Sequence, residues 1–145
     1  MALSQVLRDV ARWGTGQLET HDFGQQGGGR PKAQLAELYR AAAVGYVTPL
    51  RDGMNLVAKE FVAAQEPTEP GVLLLSRFAG AAAELREAVL TNPWHADGMA
   101  RDLDRALRME LAERQERHRR LLAVVARTTA TTWAEDFLAA LTACR

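Results

Sequence analysis

The chain has one cysteine, Cys144, no net charge, and no long apolar run. Each shortage excludes something. A single thiol cannot close an internal disulfide, and no Cys or His partners stand at metal-ligand spacing around it, so it reads as a bystander. Lysine plus arginine equals aspartate plus glutamate at 18 each, so no overall field favours nucleic acid or an anionic membrane. No apolar stretch approaches the roughly 20 residues of a membrane span. Charges at Arg8 and Asp9 come too early for a signal peptide. The expected location is the cytoplasm, with no nucleic acid or membrane as partner. At 145 residues and 48% hydrophobic content, one domain-sized unit can bury its own core.

The first thirty residues differ from the rest. Val6, Val10 and Trp13 recur at helical spacing, but the segment then meets Gly14, Gly16, Gly24 and Gly27-Gly28-Gly29. A triple glycine cannot hold one conformation cheaply, so residues 24–30 read as a loose linker. A phosphate loop would need a strand before it and Lys-Ser/Thr after it, and Arg30-Pro31-Lys32 supplies neither. Residues 1–31 are therefore expected to be a flexible segment and residues 32–145 a folded unit.

From Pro31 the pattern becomes regular. Leu35, Leu38, Tyr39 and Ala42 form one apolar helical face. Val44-Gly45-Tyr46-Val47 reads as a buried strand, followed by a turn at residues 49–53 and a helix over residues 55–65 with Val57, Phe61 and Ala64 inward. Val72-Leu73-Leu74-Leu75 is too continuous for a half-exposed strand and predicts burial on both faces. Residues 79–85 read as helical, and residues 88–91 as a third short strand. Three helices follow, over residues 97–109, 111–127 and from Thr132, where Thr132 and Glu135 have capping-box spacing and Trp133, Phe137 and Leu141 mark a buried face. The alternation predicts an α/β fold of about three short parallel strands flanked by helices, with a helical C-terminus. A complete Rossmann-like domain has about five or six strands, so this is part of one.

The run Asp52-Gly53-Met54-Asn55-Leu56-Val57-Ala58-Lys59-Glu60 carries the chemistry. A strand that ends in a Gly-containing turn and opens a helix offers free backbone N–H groups to an anion, and flanking carboxylates suit hydroxyl groups. Lys59 fits a helix-surface salt bridge as well as a ligand contact. His95, after Asn92-Pro93-Trp94, reads as a surface loop histidine, because no nucleophile or orienting carboxylate is evident nearby. His21 and His118 carry no signal. Arg114, Arg117, Arg119 and Arg120 are interspersed with Glu113 and Glu116, the spacing of a solvated, ion-paired helix face.

That run, with Leu35-Ala36-Glu37-Leu38-Tyr39-Arg40-Ala41-Ala42 before it and Pro70-Gly71-Val72-Leu73-Leu74-Leu75-Ser76-Arg77-Phe78-Ala79-Gly80-Ala81-Ala82, Asn92-Pro93-Trp94 and Trp133-Ala134-Glu135-Asp136-Phe137-Leu138 after it, resembles the trehalose-6-phosphate synthase family of retaining glycosyltransferases (GT-B fold, family 20). The resemblance implies the C-terminal, donor-binding part of a two-domain enzyme that moves glucose from a nucleoside diphosphate to glucose 6-phosphate in trehalose biosynthesis. By that resemblance Asp52 bonds glucose hydroxyls, and the backbone of Gly53, Met54 and Asn55 lines the sugar. Amides of Leu56 and Val57 meet the diphosphate, Glu60 holds the ribose, and Leu35 falls near the base. The donor is UDP-glucose or GDP-glucose, no metal cofactor is needed, and no side chain acts as acid or base. The family's upstream Arg and Lys, which neutralise the leaving phosphates, and its acceptor-binding domain have no counterpart before Leu35. Ala43 stands where many members have Asp. The resemblance thus implies a partner, either a separate acceptor-binding domain or a synthase chain, and apolar surface left exposed toward it. Two alternatives stay open: a non-catalytic remnant that binds a nucleotide sugar, and a glucosylglycerol-phosphate synthase-like enzyme with another acceptor.

Overall fold

A computed structural model describes residues 32–127 and 130–143. The expected flexible segment, residues 1–31 with the linker at residues 24–30, and Cys144 lie outside the described residues. The order is α1 (Lys32–Ala41), β1 (Val44–Val47), α2 (Leu56–Ala64), β2 (Val72–Ser76), a 3-10 turn (Gly80–Ala83), β3 (Val89–Thr91), α3 (Ala96–Leu107), α4 (Leu111–Arg127) and α5 (Ala130–Ala143). The three strands form one sheet in the order β1-β2-β3. Both pairings are parallel, with Tyr46 opposite Leu74 and Leu75 opposite Leu90.

The continuous apolar run of β2 makes it the centre. Every residue from Val72 to Ser76 is buried, because a middle strand of a parallel sheet carries helices on both faces. Side chains alternate across it. Leu73 and Leu75 join Ala58, Phe61 and Val62 of α2 and Leu121 of α4. Val72 and Leu74 join Ala100, Leu103 and Ala106 of α3 on the other face. Tyr39 of α1 closes the first layer edge-on against Phe61, with ring centroids 6.2 Å apart.

Several expectations change. β1 is the edge strand of the described sheet, not a buried one: among the described residues it pairs only with β2, and Tyr46 is 37% exposed. Residues 79–85 give only a short 3-10 turn, with the N–H groups of Ala82 and Glu84 donating three residues back to the Ala79 and Ala81 carbonyls. α2 buries Ala58, Phe61 and Val62, a stripe turned from the expected one. The last helix starts at Ala130, so Thr132 sits inside its first turn and its hydroxyl donates to the Arg127 carbonyl at 3.2 Å instead of capping. Its supposed buried face is open: Phe137 is 50% and Leu141 53% exposed. Nothing is described of the Trp133 side chain. None of the described helices is long and apolar enough to cross a membrane.

Candidate functional site

The loop from β1 to α2 is fixed by its own bonds. Asn55 has φ 61° and ψ 75°, a left-handed conformation, and is the one described non-glycine residue with positive φ. Asparagine tolerates that region better than most side chains. Its Oδ1 accepts the Ala58 N–H at 3.0 Å and so caps α2. Its Nδ2 donates to Asp52 Oδ2 at 2.9 Å. Asp52 Oδ1 in turn accepts the N–H groups of Met54 at 3.0 Å and Asn55 at 3.1 Å. These donors, Met54 first, hold the Asp52 carboxyl below its ordinary value, and burial opposes them only in part. The carboxylate is thus charged and oriented, with lone pairs remaining for hydroxyl donors.

The loop after β2 holds this one in place. Asp52 donates to the Phe78 carbonyl at 3.3 Å, Gly80 donates to the Asp52 carbonyl at 2.9 Å, and Ala81 donates to the Met54 carbonyl at 3.1 Å. The approach requires glycine at position 80, since a Cβ there would overlap the Gly53 carbonyl oxygen and stand 2.8 Å from its carbon.

The expected site residues divide between two faces that meet at Asp52. Asp52 and Gly53 line an open depression of about 420 Å³ together with Arg51, Arg77, Phe78 and Leu90. Met54, Asn55, Leu56, Val57, Glu60 and Leu35 do not line it. Instead Leu56, Val57 and Glu60 share the outer face of α2, one turn apart, opposite the buried Ala58, Phe61 and Val62. The N–H groups of Leu56 and Val57 belong to the first helical turn, which no carbonyl of the helix can reach. Tyr39 of α1 stands beside Glu60: its hydroxyl is raised above its ordinary value by burial first and then by the Glu60 carboxylate. Leu35 precedes Tyr39 by one turn of α1 and is half-buried. Loop, α2 face and α1 therefore form a continuous strip.

The other charged candidates have structural roles. Lys59 pairs with Glu84 at 2.9 Å. His95 is exposed, and its Nδ1 caps α3 by accepting the Gly98 N–H at 2.7 Å. Arg117 pairs with Glu113, and Arg119 and Arg120 with Glu116, which the two guanidiniums hold at about 2. His118 carried no sequence signal yet is buried, with Nε2 3.1 Å from the Val62 carbonyl. Sequence reasoning also placed Asn55 inside α2. An Asn directly before an apolar helical run is a cap signal that would have found its role. No group of three or more metal-ligating side chains occurs among the described residues.

The family model for glycosyltransferase family 20 matches residues 29–143. The trehalose-6-phosphate synthase of Enterobacter sp. (strain 638) is 56% identical over 104 residues, 72% of this chain and 22% of that protein. An Escherichia coli trehalose-6-phosphate synthase is 55% identical over 107 residues, 74% of this chain and 23% of the relative. Among solved structures, a UDP-forming α,α-trehalose-phosphate synthase from Burkholderia xenovorans in complex with glucose 6-phosphate superimposes with TM-score 0.73 at 55% identity, covering 79% of this chain and 25% of that one. The E. coli enzyme bound with UDP-2-fluoro glucose gives TM-score 0.73 at 52% identity, covering 79% and 25%. The chain spans about a quarter of the length of these relatives. With the family model matched over most of its length, the chain belongs to glycosyltransferase family 20.

Proposed function

We propose that this chain is the donor-binding part of a trehalose-6-phosphate synthase-type glycosyltransferase, seating UDP-glucose or GDP-glucose along the strip from Asp52 to Leu35. The observation that carries it is the oriented Asp52 carboxylate, fixed by Met54 and Asn55 at the start of α2. In this reading its free lone pairs take glucose hydroxyls, and the backbone of Gly53, Met54 and Asn55 lies along the sugar. The N–H groups of Leu56 and Val57, at the positive end of α2, face the diphosphate. Glu60, on the same helix face, takes the ribose hydroxyls, and Leu35 packs near the base. Negative charge growing on the departing diphosphate would meet preorganised amides, which need no reorganisation during reaction and no metal ion.

Transfer to glucose 6-phosphate needs an acceptor seat, which we assign to a separate domain or synthase chain. The reading places the protein in the cytoplasm, beside its phosphorylated substrates. Calorimetry with UDP-glucose and GDP-glucose tests it: one of them binds the wild type, and Glu60→Gln, outside the loop's own bonds, binds it roughly tenfold more weakly, the worth of one charge-assisted hydrogen bond. Absence of heat with both donors overturns the assignment. A release assay for nucleoside diphosphate with glucose 6-phosphate then separates binding from turnover, and the chain alone should give none.

A further inference from the structure

The depression on the other side of Asp52 has a composition of its own. Its cationic wall is Arg51 and Arg77, its apolar wall Phe78 and Leu90, and its volume about 420 Å³, which is within the range of small-ligand sites. Phe78 is 42% and Leu90 37% exposed. Most described arginines are engaged. Arg40, Arg86, Arg114 and Arg127 donate to carbonyls, and Arg105, Arg108, Arg117, Arg119 and Arg120 pair with carboxylates. The exceptions are Arg51, Arg77 and Arg101, whose guanidiniums have no such partner, and two of these three line this depression. They are far apart in sequence and are brought together by the parallel bridge between Asp52 and Ala79. The one carboxylate of the lining, Asp52, is engaged by the Met54 and Asn55 N–H groups and the Asn55 amide. The backbone N–H of Gly80 is taken by the Asp52 carbonyl. Among the side chains of the lining, the two guanidiniums are therefore the donors left for a ligand.

We infer that Arg51 and Arg77 form a seat for a phosphate group, separate from the Leu56 and Val57 amides and independent of the donor assignment. Two planar guanidiniums can each offer paired N–H donors to phosphate oxygens. Phe78 and Leu90 supply an apolar wall against which the body of a sugar phosphate can rest. Free inorganic phosphate and a sugar phosphate share this chemistry.

Titration of the full chain with inorganic phosphate, glucose 6-phosphate and glucose, at low ionic strength, tests it. Phosphate and glucose 6-phosphate should bind and glucose should not. Arg51→Gln/Arg77→Gln should weaken both about tenfold or more, while Arg101→Gln, on α3, leaves them unchanged. Glucose 6-phosphate binding tighter than phosphate assigns the seat to sugar phosphates; equal affinity assigns it to the free ion. The inference is overturned if the wild type binds neither, if the double variant binds as wild type does, or if Arg101→Gln weakens binding equally. Far-UV circular dichroism melts check that the surface substitutions leave the fold intact.

Discussion

Gly80→Ala is the sharpest probe of how the site is held. The new methyl would overlap the Gly53 carbonyl oxygen and stand 2.8 Å from its carbon and 3.4 Å from Met54 N. These are backbone atoms, so no side chain can swing away, and the loops after β1 and β2 must part. Overpacking of this kind costs about 1–3 kcal/mol. Parting the loops also weakens the Gly80 to Asp52 bond at 2.9 Å and the Ala81 to Met54 bond at 3.1 Å, each worth about 1 kcal/mol. A loss of about 2–4 kcal/mol is expected. Gly53 is the control. A Cβ there meets nothing within 4 Å, and its φ is not positive, so Gly53→Ala should stay within about 0.5 kcal/mol of wild type. Urea unfolding followed by circular dichroism reads both, as a fall in midpoint at constant slope. If Gly80→Ala unfolds at the wild-type midpoint, or Gly53→Ala falls as far, backbone contact between the loops does not hold the site.

Asn55→Ala loses the α2 cap and strains a left-handed residue, for about 2 kcal/mol in urea unfolding, whereas Asn55→Gly keeps the backbone and loses only a few tenths; equal losses would refute the left-handed assignment. Asp52 has its folded-state pKa below the ordinary 3.8, so its contribution is fully present above that pH and is lost as pH falls through the lowered value. Stability measured at pH 7 should drop in Asp52→Asn, and the gap to wild type should close as pH falls below 3.8; a constant gap contradicts the sign. His118→Leu removes the buried contact to the Val62 carbonyl, leaving it the Gln65 N–H at 3.4 Å, and should cost about 1–3 kcal/mol by thermal or urea unfolding. Leu138→Ser/Leu141→Ser, both exposed on α5, should leave stability within about 0.5 kcal/mol and reduce binding of an apolar dye.

The sequence made β2 legible because four apolar residues in a row, short and opened by Pro70-Gly71, suit a strand covered on both faces. It did not make β1 legible in the same way. Val44-Gly45-Tyr46-Val47 reports that the strand is apolar, whereas being at the edge depends on how many strands the sheet has. The α5 face fails for a related reason: the spacing of Phe137 and Leu141 says that a face favours cover, whereas the structure leaves both side chains about half exposed. At the site, the motif was readable through its family resemblance, and the N–H groups at the helix start through general physics. The division of its residues between two faces was not readable. That division follows from the left-handed turn at Asn55 and from the bridge between Asp52 and Ala79, and neither leaves a mark in residue spacing. Arg51 and Arg77 escaped notice for the same reason.

The bonds that shape the Asp52 loop all end on residues of this chain. Met54, Asn55, Phe78, Gly80 and Ala81 close it, and β2 and α2 beneath it are packed into the core. Nothing in that network waits for the remaining three-quarters of a relative's length. Donor affinity in the proposed reading can therefore persist where transfer cannot, because binding the ground state adds nothing to the rate unless charge and acceptor are also met in the transition state. Leu50, Met54, Leu56 and Trp94 are 54%, 46%, 56% and 69% exposed, and Met54 and Leu56 belong to the loop and helix start themselves. A partner that supplied the acceptor seat would cover apolar surface beside the donor strip, so its arrival should tighten donor binding. Thermodynamic reciprocity then requires that donor tighten the partner by the same factor.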